Sequence, residues 1–413
     1  MKVVIERCAG LDVHKKTMVA CVRTPRSGRA KGRLKGTRTF ATTMKGLGAL
    51  RAWLASHRVT DAAMESTGVY WRPVWAVLED DFRLLLVNAR HVKQVPGRKT
   101  DVRDCEWLAQ LLECGLLRGS FVPSPEIRDL RDLTRLRKTL VRERSSQVNW
   151  VSKILELANI KLGSVVSNVM GVTARRILDA MIAGEDDPEV LAGLAKGSLR
   201  GKRRELAEAV PGLLRDHHRF VLRRHLDLID ELTHQIARIE ARIVAQTSGP
   251  FGAALDLLES IPGVGHRSAE AILAETGDDM SKFPTAAHFA SWARVCPGNH
   301  ESAGKRKSAS IGKGNAWLRD ALSQVAWAAA RTKGSYYRAL YYRRRARGGP
   351  KKAIVAVQHA ILVAIWHMLT TGSFHEGLGP DHFERHARER RKRHLINQLK
   401  KMGVDIEIKE QAA

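Results

Sequence analysis

The residues most suited to chemistry are four carboxylates in the first quarter of the chain and three serines near its end. Asp12 ends an apolar run in "GLDVHKK", Glu65 ends another in "DAAMES", and Asp101 and Asp104 stand three apart in "KTDVRDCEW". Residues three apart share a helix face, so one helical turn would present both aspartates together. Four like charges brought together cost energy unless cations neutralise them, and hard oxygen donors suit Mg2+. Two such ions about 3.5–4 Å apart could clamp the attacking and leaving oxygens of a phosphodiester. Singly, each carboxylate has a plainer use: Asp101 and Asp104 could complement a helix dipole, and Asp12 could serve a turn. Near the other end, "CPGNHESAGKRKSASIGKGNAWLRDAL" sets Ser302, Ser308 and Ser310 among Lys305, Arg306, Lys307 and Lys313. Composition permits either a loop that grips phosphate, aided by Arg319 on the following helix, or a nucleophilic serine with three residues eligible. A serine hydroxyl needs a base or metal to activate it. His300 and Glu301 precede Ser302, but sequence neighbours seldom point the same way, so the activating group is expected from another domain, docked from a second subunit.

Positioning the carboxylates requires a sheet. "VVIERCAGLDVHKKTMVACVR" reads as two short strands about a turn at His14 to Lys16, and "GTRTFATT" as a third. A helix over 44–58, the short strand "DAAMES", a helix over 68–81 with Pro73 in its first turns, and the apolar strand "FRLLLVN", expected to be buried on both faces, follow. A last helix runs from about Asp101 to Glu113 and stops at Gly115. The order β-β-β-α-β-α-β-α implies a mixed α/β sheet flanked by helices. Its first and fourth strands are natural neighbours, and the last helix would bring its acidic turn to their ends.

Beyond Pro123 and Pro125 strand signals cease, and an all-α remainder is expected. "LRDLTRLRKTLVRERSSQVNWVSKILELANI" and "HRFVLRRHLDLIDELTHQIARIEARIVAQ" repeat apolar residues at three- and four-residue spacing, as in a helical hairpin or a dimerising coiled coil; small helices should lie between them. Pro262-Gly263-Val264-Gly265 joins two helical stretches in helix-hairpin-helix grammar, with Gly263 and Gly265 leaving amides open to phosphate; the alternative is a glycine-rich turn with no ligand. "YYRALYYRRRARGGPKKA" and "ERHARERRKRH" mix arginines with tyrosines, a composition for phosphate contact and stacking, or for a solvated basic face. The expected domains are 1–122, 123–248, 249–375 and a basic tail, 376–413.

In 413 residues, 70 Lys and Arg face 43 Asp and Glu, a net charge of +27 that repels itself unless a polyanion shares the surface. Nucleic acid is the expected partner. Five cysteines form no CxxC pair, which argues against a disulfide framework and a zinc ribbon and fits a reducing cytoplasm. The apolar start is broken by Glu6 and Arg7, unlike a signal peptide, and "AIVAVQHAILVAIWHML" is expected to be a buried helix, too short to span a bilayer.

"GLDVHK", "ESTGVYW" and "KTDVRDCEWLAQLL" resemble the motifs of the DEDD-type transposases of the IS110 insertion-sequence family, whose N-terminal domain is similar to the RNase H-like junction resolvase RuvC. The likeness continues through "IPGVGHRSAEAILAETGD", the 296–322 segment and "KKAIVAVQHAILVAIWHML", covering most of the chain outside the middle helices and the last thirty or so residues. The resemblance implies a transposase and recombinase in which a C-terminal serine, here Ser302, becomes covalently linked to DNA while Asp12, Glu65, Asp101 and Asp104 hold Mg2+. Where the family pattern has Ser-Gly, this chain has Ser302-Ala303-Gly304. It further implies a structured guide (bridge) RNA that selects donor and target DNA, dimers pairing into a tetramer on DNA, and a prokaryotic, nucleoid-associated protein. A junction-resolving nuclease that activates water at the same carboxylates, and a non-catalytic nucleic-acid binder, are the competing readings.

Overall fold

The computed structural model describes residues 3–26, 32–66, 68–88, 104–297, 300–302, 305–308, 311–312 and 314–402. They fall into two compact units, 1–122 and 123–413.

The first unit is a five-stranded mixed sheet of order β3-β2-β1-β4-β5. β1 (Cys8–Val13), β2 (Thr17–Pro25) and β3 (Arg33–Ala41) are antiparallel, whereas β4 (Asp61–Glu65) and β5 (Arg83–Val87) continue parallel to β1. Alternation along β1 sorts its two faces. Leu11 and Val13 enter a core with Leu47, Leu50 and Leu54 of α1 (Met44–Ser56) and with Val74 and Leu78 of α2 (Trp71–Leu78). Cys8 and Gly10 face α3 (Asp104–Glu113) on the other side. Thr43 caps α1 by accepting from the Gly46 amide, which stops β3 from running on. β5, expected to be buried on both faces, lies at the edge of the described sheet and packs on both faces, Leu84 and Leu86 in the core with α1 and α2 and Leu85 and Val87 against Leu108 and Leu111 of α3, with Arg83 exposed. Among the described residues its outer side meets only a bridge from Val87 to Gly119 and the Ser120 amide, which donates to the Leu86 carbonyl.

The second unit is largely helical. α4 (Pro125–Leu157) starts at the Ser124 cap with proline in its first turn. It packs along α5 (Asp216–Thr247) in antiparallel fashion: Gln246 donates to the Glu126 carbonyl at one end, and His225 meets Gln147 and stacks on Trp150 towards the other. The repeating apolar positions thus pair within one chain as a helical hairpin. Short helices over 162–165, 172–182, 188–193 and 203–209 close its far end around Ile154, Ile177, Leu178, Leu222 and Leu226. At the near end come α6 (Gly252–Glu259), α7 (His266–Thr276), α8 (Ala286–Trp292), α9 (Ala316–Arg331), α10 (Tyr336–Gly348), α11 (Pro350–Thr371) and α12 (His382–Lys401). α11 is the central helix, burying Ala353, Val357, Ile361, Leu362 and Ile365 against α8, α9 and α10. At 22 residues it is longer than its apolar run implied, and by length and composition alone it could cross a bilayer.

The expectation that strands cease after Pro123 is corrected by a two-stranded ribbon, β6 (His300–Ser302) and β7 (Lys305–Ser308). Such strands are too short to show period-two alternation, and their backbones pair in antiparallel register.

Candidate active-site elements

Strand register brings two of the four carboxylates together. β1 and β4 run parallel with Leu11 opposite Met64, and one step further at the same offset stand Asp12 and Glu65. In-register neighbours on parallel strands project to the same face, and for Asp12 that is the face of Gly10 and Cys8, against α3. Asp12 is partly exposed, and His14 Nε2 lies 3.1 Å from its Oδ2.

α3 carries Asp104 at its first position, and Gly10 sets how closely α3 approaches. A Cβ on Gly10 would lie 2.1 Å from the Cys105 carbonyl oxygen and 2.5 Å from the Ala109 nitrogen, so only glycine lets the backbone of α3 rest on β1. Ion pairs fix the helix lengthwise. Glu106 binds Lys35 and Thr37 on β3, and the buried Glu113 binds Arg23 at 2.9 Å and Arg33 at 2.5 Å. Burial pushes the Cys105 thiol up to about 12, with neighbouring Cys21, Glu106 and Asp12 adding to it, and burial pushes Cys8 up to about 12 as well. These thiols stay protonated, and the carboxylates with His14 are the donors at the Asp12 end of β1.

Asp12 and Glu65 therefore stand side by side at the ends of β1 and β4, and α3, which begins at Asp104, rests on β1 at Gly10. Asp101 lies outside the described residues, and among those described no three His, Cys, Asp or Glu side chains form a ready metal cage. An all-oxygen carboxylate set is still the donor chemistry that suits Mg2+ rather than a thiolate metal.

The serine expected to act, Ser302, ends β6 opposite Lys305 of β7, so the ribbon places it at its tip. Glu301 pairs with Arg306 and His300 with Ser308, across an irregularity between His300 and Glu301. Lys307 is the β7 residue next to Ser308, while Ser310 and Lys313 lie outside the described residues. A bridge between Pro297 and Ile311 closes the base of the ribbon. Below it Gly314 packs so tightly that a Cβ would lie 2.7 Å from the Ala293 carbonyl oxygen. The segment expected to be an irregular basic loop is thus a braced hairpin.

Family profiles match the stretches of chain that carry both features. A DEDD-type IS110 transposase profile matches residues 9–160, and one described as a transposase of the IS116/IS110/IS902 family matches residues 255–342; together they span more than half of the chain. The chain belongs to the IS110 family of transposases. Among its relatives, a probable family 20 transposase of Pseudomonas aeruginosa is 27% identical over 65% of this chain and 71% of its own length. The transposase for insertion sequence element IS1111A of Coxiella burnetii is 25% identical over 69% of this chain and 71% of its own. A protein of the Streptomyces coelicolor IS110 element reaches 33% identity over 35% of this chain and 34% of its own. A transposase implies DNA substrates, and a DEDD domain points to divalent metal.

In this transposase the residues singled out for nucleic acid take different roles. Gly263 has φ near 90°, and a Cβ there would meet the Ala329 nitrogen at 2.5 Å, so this glycine lets α9 pack against the turn. Gly265 is exposed, has open space around it and caps α7. Arg319 is half-buried in the second turn of α9.

Sequence reasoning missed the buried ion network that ties α4 to the ribbon's exit. Glu275 on α7 accepts two bonds from Arg135, at 2.7 and 2.9 Å, and lies 3.3 Å from Arg131 Nε. It also accepts from Asn315, whose own side chain caps α9 through the Trp317 and Leu318 amides. Arg131 donates to the Ala274 and Glu275 carbonyls, closing the end of α7, and Arg137 pairs with the buried Glu270. These partners are up to 144 residues apart, a separation that no local pattern could flag.

Proposed function

We propose that this transposase cuts and rejoins DNA by transesterification through Ser302, assisted by Asp12, Glu65, Asp101 and Asp104 and directed by a structured guide RNA. The observation that carries the reading is the ribbon, in which Ser302 ends β6 opposite Lys305 of β7, with the Pro297–Ile311 bridge at its base. Ser302 Oγ attacks phosphorus and loses its proton, while the bond from phosphorus to one sugar oxygen breaks and that oxygen gains a proton. One phosphoester replaces another, so the strand is rejoined by the reverse step without net hydrolysis. Lys305, Arg306, Lys307 and Lys313 neutralise the phosphates, and Arg319 supports them from α9. Asp12, Glu65 and Asp104, with Asp101, would hold Mg2+, which when bound stabilises charge on the phosphoryl oxygens. Ser302 and the carboxylates belong to different units. The excess of 27 positive charges fits a protein that holds donor DNA, target DNA and RNA together as a multimer.

The test is a covalent protein–DNA adduct on a denaturing gel, formed by the full chain with Mg2+ and a labelled donor. Ser302→Ala removes the adduct and recombination together. Recombination that survives in Ser302→Ala refutes the assignment, and nicked product with no adduct points instead to a nuclease that uses water. RNA guidance predicts a non-coding segment beside the gene with two internal loops complementary to donor and target.

A further inference from the structure

A cavity of about 540 Å3 opens in the second unit between α10, α11 and the segment 373–378. That is within the roughly 300–1,000 Å3 typical of small-ligand sites. Its walls include the flat rings of Tyr336, Tyr337, His359, Phe374 and His375, beside aliphatic side chains of α11 and one carboxylate, Glu376. Tyr337 and His375 already stack, 5.6 Å apart and 17° from parallel, while Phe374 stands 63% exposed at the lip. Burial holds His359 and His375 below the usual imidazole range, so near neutral pH both offer uncharged faces.

Around this aromatic lining stand arginines. Arg385 Nη2 donates to the carbonyl of Leu378, itself part of the wall, at 2.7 Å. Arg343 lies 5.1 Å over the ring of Phe383, which in turn stacks on Tyr336, and the charge of Arg344 acts on the Tyr336 hydroxyl. α10 contains no acidic residue. A purely apolar ligand would have no use for this rim, and a duplex could not present a base to the walls. An unpaired nucleotide uses both, since every base has a π-face for the rings and carries phosphates for the arginines.

We propose that this cavity takes an unpaired nucleobase from a single-stranded segment of DNA or RNA, stacked against Phe374 and the Tyr337–His375 pair, with Arg343, Arg344 and Arg385 on the flanking phosphates. The site involves neither Ser302 nor the carboxylates, so it stands or falls separately from the transesterification reading.

The experiment uses the full chain carrying Ser302→Ala and 12-residue oligonucleotides in three forms: dT, rU and a fully abasic strand with the same phosphates. The base-dependent part of affinity is the ratio of the dT or rU Kd to the abasic Kd. Phe374→Ala is expected to weaken dT or rU binding by roughly 5- to 150-fold, the range for losing one stacked base, and to leave the abasic strand unchanged. The dT and rU arms identify which nucleic acid is taken. Exposed Phe374 contributes little to folding, and a 5-iodouracil strand should crosslink to Tyr336, Phe374 or His375 in the unsubstituted pocket. A ratio unaltered by Phe374→Ala overturns the proposal, whether affinity falls for all strands or for none, as do crosslinks that map only elsewhere.

Discussion

Gly10→Ala tests how the carboxylates are held. The added methyl would lie 2.1 Å from the Cys105 carbonyl oxygen, against an ordinary contact of 3.4 Å or more, so α3 must retreat by more than about 1 Å. Overpacking of this kind costs about 1–3 kcal/mol. The strain cannot be spread easily, because Glu106 and Glu113 tie α3 to β2 and β3. Amide exchange across residues 104–113 should therefore speed up roughly 5- to 150-fold, at a factor of ten per 1.4 kcal/mol. Moving Asp104 by about 1 Å relative to Asp12 and Glu65 should lower strand transfer by roughly a hundredfold. Gly48→Ala is the control: this exposed residue of α1 has nothing within 4 Å of a new Cβ, and the change should stabilise by up to about 1 kcal/mol. If Gly10→Ala exchanges and transfers strands like the parent protein, the close approach of α3 does not position the site.

Three further outcomes follow from the second unit. Gly263→Ala should destabilise by about 1–3 kcal/mol in chemical denaturation, since it meets the α9 backbone at φ near 90°, whereas Gly265→Ala should leave folding nearly unchanged. Glu275→Ala takes the carboxylate from Arg135 and Arg131, leaving Arg131 its bonds to the Ala274 and Glu275 carbonyls, and uncouples Asn315; it should cost about 3–5 kcal/mol and loosen the start of α9, read as faster exchange at the Trp317 and Leu318 amides. His359 and His375 have lowered pKa values through burial, so below the usual 6.5 the unfolded chain binds protons that the folded chain refuses. Stability should then fall as pH drops through that value, and His359→Gln should flatten the dependence in thermal scans at pH 5 and pH 7.

Much of this protein was legible in local pattern. Leu47, Leu50 and Leu54 at helical spacing, Ser124 before Pro125, and the apolar repeats of α4 and α5 declare their elements, because burying one face of a helix leaves a periodic trace. The order of elements in the first unit placed β1 beside β4, and so Asp12 beside Glu65. The charge of the chain announced a polyanion partner, and its motifs announced the family. Other features needed tertiary contacts. β5 looks central by composition, and the strand order of the described residues makes it an edge. The ribbon under Ser302 rests on backbone pairing that lysine and serine do not signal. Gly10 and Gly263 could have been ordinary turn glycines, and both are instead places where a helix backbone comes too near for any side chain. Glu275 reads as one acid among 43, until folding sets Arg131, Arg135 and Asn315 around it in a buried site where an unpaired charge would be costly. Residue type and period determined which elements form and what they can bind; distance between backbones, which no sequence pattern encodes, decided where the reactive groups stand.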